Sequence, residues 1–444
     1  MRTMHGKRIG IRREDRSRWE RRAPVTPGIA RHLREEHGIE VIAQPSPIRV
    51  FSEAEFETHG AIIQEDLSDC AIVFAVKEIP PAFFRPGGAY VFFSHVIKGQ
   101  SYNMPMLRRL IELGCTLIDY EKVLDDAGRR LIFFGRHAGL AGMIETLHAL
   151  GKRLRWEGVA NPFESICHAY EYHDLAAAKE AVAAAGEAIR SVGLPAQMTP
   201  LTVGVTGYGN VARGAWEILN LLPVEVIDPA QLSEVVDGPG ASKHVVYATT
   251  FKEQHIVEPL EGEFDCLKYY DCPDNYRPIF EKSLPYLSVL VNAIYWDARF
   301  PRLVTKETLR SLWEARHSDL AQQPRLKVIG DISCDIEGSI ECTVKATEPE
   351  EPCFVYNPLT GEAHDGCEGD GVVVMAVDIL PSELPRDASE DFAGVLKDFI
   401  PAIVAADLDA SFADLDLPAP IKRAVIVHRG ELTPDFAYLQ RYLD

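Results

Sequence analysis

The sequence has no run of about 18 or more consecutive apolar residues, so a conventional membrane-spanning helix is not expected. Nor has it an excess of positive charge. Lysine and arginine total 46 against 66 aspartates and glutamates, a formal charge of -20, which opposes nonspecific binding of nucleic acid. There is no CxxC pair. The nine cysteines, at 70, 115, 167, 266, 272, 334, 342, 353 and 367, are odd in number and widely scattered. That pattern disfavours both a disulfide scaffold and a structural zinc site, and buried free thiols are the plain alternative. The stretch MRTMHGKRIGIRRE lacks the apolar core of a secretory signal. The expectation is a soluble, cytoplasmic protein with no nucleic-acid or membrane partner and no metal.

What is present reads as globular: 46% hydrophobic and 25% charged residues over 444 positions, enough for more than one domain. The first segment has an α/β cadence. Short apolar runs at Arg8 to Ile11, Glu40 to Ile42, Ala71 to Val76 and Ala89 to Phe93 predict strands, with a helix opening at Pro27 and stopping near Gly38. The run from Ala71 leads into Lys77-Glu78, and the one from Ala89 into Ser94-His95, at the strand ends where α/β proteins place ligands. Further on, Gly135, Gly139 and Gly142 precede a helix from Met143 to Leu154. Leu175, Ala178, Val182, Ala185, Ile189 and Val192 then form one helical stripe, capped by Asp174.

The strongest local pattern follows. A strand from Leu201 to Thr206 enters Gly207-Tyr208-Gly209-Asn210-Val211-Ala212 and a helix through Leu222. In this G-x-G-x-x-A form Gly207 permits a tight turn and Gly209 leaves room for a pyrophosphate beside the amides of Asn210 and Val211. Ala212 lets the helix lie close to its strand. A second short strand, Val224 to Ile227, ends in Asp228, 21 residues after Gly207, where an acid binds a ribose. Further strands are predicted at Val245 to Tyr247, Asp265 to Tyr269, Tyr286 to Asn292 and Lys327 to Asp331. A buried run covers Gly371 to Val377, and helix and strand candidates lie at Ala393 to Val404 and Ile421 to Val427.

These pieces suit hydride transfer at a carbon–nitrogen bond. Lysine serves as a proton carrier there only if part of it is neutral, whereas histidine is closer to that state by nature. Taken alone, Lys77 and His95 each read first as structural or solvent-facing residues. Arg22 in WERRAPVTP could hold a substrate carboxylate bidentately, with Arg21 as its rival. Glu78 and Glu121 could orient Lys77, although neighbouring carboxylates raise a lysine pKa and so oppose the neutral base. Asp335 could contact the reacting amine or orient a group on the nicotinamide side, Asp331 could instead cap a turn, and Cys334 reads first as packing.

The fragments IRREDRSRWERRAPVTP, IQEDLSDCAIVFAVKEIP, FFSHVIKGQ, LIDYEKVLDD, FGRHAGLAGM, LTVGVTGYGNVARGA, VNAIYWDARFPRLVT and DISCDIEGSIE occur in one order along the chain. With them the sequence resembles the lysine-ketoglutarate reductase module, the first half of bifunctional lysine-catabolic enzymes, and the lysine-forming saccharopine dehydrogenases. The wider resemblance is to alanine dehydrogenase and the nucleotide-binding transhydrogenase subunit. It implies an α/β fold of two Rossmann-like lobes with an active-site cleft between them. Residues 1–135 plus 345–444 would form the substrate domain and 136–344 the dinucleotide-binding domain, the C-terminal segment returning to the first lobe.

The resemblance further implies that L-lysine and 2-oxoglutarate condense reductively and reversibly to saccharopine. Lys77 and His95 would be the acid/base pair, Asp335 the late active-site aspartate and Arg22 the carboxylate anchor, with Glu78 and Glu121 beside the lysine. Gly207, Gly209, Asn210 and Val211 would form the nucleotide turn. Asp228 favours NAD(H) by repelling a 2′-phosphate, and no arginine adjoins it; the resemblance favours NADP(H), toward which the reading leans. Ending at Asp444, the chain would stop at saccharopine and leave the next step to a separate glutamate-forming saccharopine dehydrogenase. The alternatives are an alanine-dehydrogenase-like enzyme and a catalytically inactive nucleotide-binding module. Oligomeric state is not set by the sequence.

Overall fold

The computed structural model describes residues 7–318 and 324–443; the opening six residues of the stretch read for a signal lie outside them. The chain divides into two units, Met1–Phe134 with Pro385–Asp444, and Gly135–Leu384. No helix among the described residues is long and apolar enough to cross a membrane.

The first unit is built on an eight-stranded sheet. Its order is Glu431–Leu432, Val425–His428, Thr116–Asp119, Ala89–Phe92, Ile72–Phe74, Arg8–Ile11, Glu40–Ala43 and Ile62–Ile63. The six strands from the first segment run parallel, and the two from the C-terminal segment add antiparallel at one edge. Strands with burial on both faces, such as Ala89–Phe92, are apolar throughout, as a helix-covered parallel sheet requires. The helix Pro27–His37 begins on Thr26, whose hydroxyl accepts from the Ile29 amide, and ends at Gly38 with φ 62°. The returning segment joins this core through Ile400, Ile403 and Val425–Val427, and Ser389 Oγ accepts from the Ala23 amide at 2.9 Å.

The second unit holds the other eight-stranded sheet, ordered Ala363–Asp365, Cys353–Tyr356, Val372–Met375, Val328–Asp331, Val289–Asn292, Leu201–Thr206, Val246–Phe251 and Val224–Val226. The last six are mutually parallel, a doubly wound arrangement, with the hairpin Cys353–Asp365 antiparallel at the far edge. The helix Gly135–Trp156 and the capped helix Leu175–Ser191 cover one face.

Several sequence expectations need correction. The second crossing between units falls at Leu384/Pro385 rather than after residue 344, because Cys353–Tyr356 and Val372–Met375 pair into the second sheet. The first falls at Phe134/Gly135. The strand expected at Asp265 to Tyr269 is a helix, Cys266–Asp271, because Asp265 caps the amides of Leu267 and Lys268. The helix expected at Ala393 to Val404 is two helices, Pro385–Leu396 and Ile400–Ala405, with Pro401 in the first turn of the second.

Candidate functional site

In the first unit, Ile72–Phe74 and Ala89–Phe92 are parallel neighbours with Phe74 opposite Val91, so the segments leaving them emerge side by side. Lys77 lies three residues beyond one and His95 three beyond the other. Between them Glu78 accepts from His95, Nδ1 to Oε1 at 2.9 Å, and its second oxygen pairs with Arg16. Burial pushes the Glu78 carboxyl up, but these two partners outweigh it and hold it at about 2. His95 sits at φ 53°, ψ 19°, a left-handed conformation that costs a non-glycine residue roughly 1–3 kcal/mol. Phe93 stacks on its ring at 6.2 Å.

Lys77 is largely buried, and its pKa is lowered. Burial is the main cause, followed by the charge of Arg22, with Arg16 adding to it; Glu20 and Glu78 pull the other way and lose. The sequence reading expected carboxylates to dominate and raise this lysine, and the buried setting reverses the sign. The Glu121 carboxylate meets Arg130 and its amide donates to Asp119.

Arg22, rather than the half-buried Arg21, is the buried arginine. Its Nε and Nη2 donate to the two oxygens of Glu20 at 2.7 and 2.5 Å, and its guanidinium lies 4.0 Å from the Phe134 ring centroid. The edge expected to grip a substrate carboxylate is thus matched to a neighbouring one.

Sequence reasoning missed Glu14, which is buried beneath this cluster. Its two oxygens accept from the amides of Val76 and Lys77 at 2.7 and 3.1 Å, fixing the turn that carries the lysine. Burial, with the charge of Glu20 added, raises its carboxyl to about 7. Asp119 was missed as well. It accepts from Ser94 and from the Glu121 amide, and burial raises it to about 6.

In the second unit, Gly207 has φ 84° and donates its amide to the Phe251 carbonyl at 2.9 Å. Gly209 is the N-cap of the helix Asn210–Leu219 and offers no side-chain cap. A Cβ on Gly209 would meet nothing within 4 Å, whereas one on Gly207 would reach Ile294 at 2.9 Å. The open space before uncapped helical amides, including those of Asn210 and Val211, fits a dinucleotide pyrophosphate. A cavity of about 460 Å³ adjoins the turn, lined by Phe251, Lys252, Tyr270 and Trp296 among others. Behind it, Thr206 Oγ1 donates to Asn292 Oδ1 at 3.0 Å, and Asn292 Nδ2 to Asp331 Oδ1 at 2.8 Å. These bonds lock the ends of three central strands.

Asp331 also caps the next turn, accepting from the Cys334 amide at 3.3 Å, and burial raises it to about 6. Asp335 is exposed on that turn, beside Cys334 at φ 52°. Asp228 is exposed past the edge strand Val224–Val226, and its Oδ1 accepts from the Ala230 amide at 2.9 Å. The structure therefore gathers Lys77, Glu78, His95 and Arg22 in one unit, and Gly207, Gly209, Asn210, Val211 and Asp228 in the other with Asp335. Among the described residues there is no group of three or more metal-ligating side chains placed to hold an ion.

Residues 10–141 match the family model of the alanine dehydrogenase/PNT N-terminal domain. The alpha-aminoadipic semialdehyde synthase of Arabidopsis thaliana is 40% identical over 98% of this chain and 41% of its own length. The NAD(+), L-lysine-forming saccharopine dehydrogenase of Emericella nidulans is 26% identical over 88% of this chain and 91% of its own. A solved L-alanine dehydrogenase shares the fold, with a TM-score of 0.63 at 18% identity over 98% of this chain and all of that one. The cytoplasmic expectation is overturned by mammalian relatives. The alpha-aminoadipic semialdehyde synthases of Bos taurus, Mus musculus and Rattus norvegicus, 35% identical over 99% of this chain and 48% of theirs, are mitochondrial by name. The chain spans about half the length of the semialdehyde synthases it matches. By these likenesses the chain is homologous to the alpha-aminoadipic semialdehyde synthases, over the part of them it spans, and to the L-lysine-forming saccharopine dehydrogenases, and on a two-unit Rossmann-like scaffold it is an NAD(P)-dependent oxidoreductase of that alanine dehydrogenase-like group.

Proposed function

We propose that the chain catalyses the reversible, NAD(P)H-dependent reductive condensation of L-lysine with 2-oxoglutarate to saccharopine. The observation that carries the proposal is Lys77, a buried ε-amino group made less basic by its surroundings at a strand end adjoining His95. The substrate pair is supported by the L-lysine-forming relatives, which match along most of their length.

The first unit holds the organic substrates. Arg22 meets the oxo-acid carboxylate through Nη1, the nitrogen not bonded to Glu20, which keeps the guanidinium rigid. The neutral ε-amine of the substrate lysine attacks the carbonyl carbon. His95 takes a proton from that nitrogen, and Glu78 at Nδ1 fixes which ring nitrogen faces the substrate. Lys77, as its ammonium form, gives a proton to the carbinolamine oxygen as water leaves. Its lowered pKa makes that donation easier and leaves more of the lysine neutral, the form that accepts the proton in the reverse direction.

The second unit holds the nucleotide through Gly207, Gly209, Asn210 and Val211. When bound, the reduced nicotinamide supplies the hydride that turns the imine carbon into an amine carbon. NADP(H) is the proposed form. One Asp228 oxygen is engaged by Ala230, and both Lys252 and Asp228 act electrostatically on His255, so the Lys252 ammonium shares the Asp228 neighbourhood.

The test is a product-resolved assay with purified protein. NADPH should be consumed only with L-lysine and 2-oxoglutarate together, yielding saccharopine, and more efficiently than NADH. Turnover of pyruvate with ammonia instead would place the chain with the alanine dehydrogenases, and absence of saccharopine with either nucleotide would refute the assignment.

A further inference from the structure

A second constellation of reactive groups lies in the second unit. The strand Cys353–Tyr356 pairs antiparallel with Ala363–Asp365, Phe354 opposite Asp365, and the Gly366 amide donates to the Cys353 carbonyl at 3.0 Å. Cys367 therefore follows directly on the residue facing Cys353. Both side chains turn to the same side of the sheet: Cys353 lies in the core with Val355, Val373 and Met375, and Cys367 packs against that core. Each thiol is the largest influence on the other's proton affinity, so the two lie side by side. Cys353 is 2% exposed and Cys367 only partly covered, and both line a cavity of about 1070 Å³ shared with His148, Lys152 and His168. Arg153 Nη1 clamps the loop by donating to the carbonyls of Cys367 and Gly369 at 3.4 and 2.7 Å.

The two thiols are chemically unequal. The neighbouring Cys353 thiol lowers the Cys367 pKa, and the charges of Arg153 and Lys152 add to that against burial. Cys353 is raised by its Cys367 neighbour and by burial. Burial likewise raises Cys70, Cys115, Cys334 and Cys342, so their thiolates are suppressed.

We propose that Cys367 and Cys353 form a hydroperoxide-oxidisable pair, with Cys367 as the attacking thiol and Cys353 as the resolving one. The Cys367 thiolate attacks the terminal oxygen of the hydroperoxide, the O–O bond breaks, and the other oxygen leaves as an alcohol or water after protonation. The resulting Cys367 sulfenic acid is attacked by Cys353 sulfur. An S–S bond forms, the S–O bond breaks, and water leaves with the Cys353 proton. In sum, two thiols and one hydroperoxide give a disulfide, an alcohol and water. A dithiol reductant restores the pair.

Reduced full-length protein treated with one equivalent of hydrogen peroxide should lose two of its nine thiols, and peptide mapping should join Cys353 to Cys367. Oxidation should precede that of the exposed Cys167 and Cys272 and reverse with dithiothreitol. Cys353→Ser should instead accumulate a dimedone adduct on Cys367, and Cys353→Ala serves if the serine variant is unstable. First oxidation at Cys167 or Cys272, or absence of both the disulfide and the adduct, would overturn the proposal.

Discussion

At the scale of single residues, the decisive balance is at Lys77, where burial and two arginines outweigh two carboxylates. Lys77→Met should lower kcat by about 10²–10⁴-fold, the usual range for a lost acid/base group, and leave nucleotide affinity within about twofold. Steady-state kinetics and a fluorescence titration separate the two effects. Glu14 makes a prediction of opposite character. Its carboxyl rises from 4.5 to about 7 on folding, so the folded state binds the proton more tightly than the unfolded one. Its contribution is fully present below about 4.5 and is lost as pH climbs through 7, amounting to about 3 kcal/mol at most. Asp119 and Asp331, both raised to about 6, act with the same sign, whereas Glu78 at about 2 acts only at more acidic pH. Urea unfolding at pH 5 and pH 8 should show a smaller difference in Glu14→Gln than in the wild type. Lys77 and His95 were legible in the sequence because each is a polar residue ending an apolar strand. Glu14 was not, because its partners are 62 and 63 positions away and only the fold brings them together.

Among elements, the glycine turn shows how close packing and ligand room are divided between similar residues. The helices Gly135–Trp156 and Asn210–Leu219 touch backbone to backbone. A Cβ on Gly139 would stand 1.9 Å from the Val211 carbonyl oxygen, and one on Gly214 would stand 2.0 Å from that of Arg136. No rotamer change relieves a clash with backbone, so Gly214→Val should destabilise the protein by about 3 kcal/mol or more in denaturant unfolding. Gly209→Ala faces open space at φ -76° and should leave stability within about 0.5 kcal/mol while weakening nucleotide binding about tenfold or more. Strand, turn and helix from Leu201 onward were readable because their signals are local. Cys266–Asp271 was misread because an apolar, aromatic run resembles a strand. In a strand Leu267 and Tyr269 would share a face, yet Leu267 is 77% exposed and Tyr269 buried, as the cap at Asp265 and helical spacing dictate.

For the molecule as a whole, the chain crosses between its units twice, and the sequence showed that a return occurs but not where. An apolar strand such as Val372–Met375 carries no mark of the sheet it will join; only its pairing with Val328–Asp331 decides. The division of labour that results makes a separable prediction. At 100 times its Kd the nucleotide should add about 2.7 kcal/mol to unfolding, in wild type and Lys77→Met alike, because its proposed site is the Gly207 turn of the second unit. The same concentration should stabilise Gly209→Ala much less. Hydrogen exchange should locate the cause: NADPH should slow exchange at the amides of 207–211, and 2-oxoglutarate at 14–22 and 76–78. Nucleotide protection that spared 207–211 would separate cofactor binding from the Gly207 turn. Equal loss of nucleotide stabilisation in Lys77→Met would instead tie that lysine to binding rather than to proton transfer.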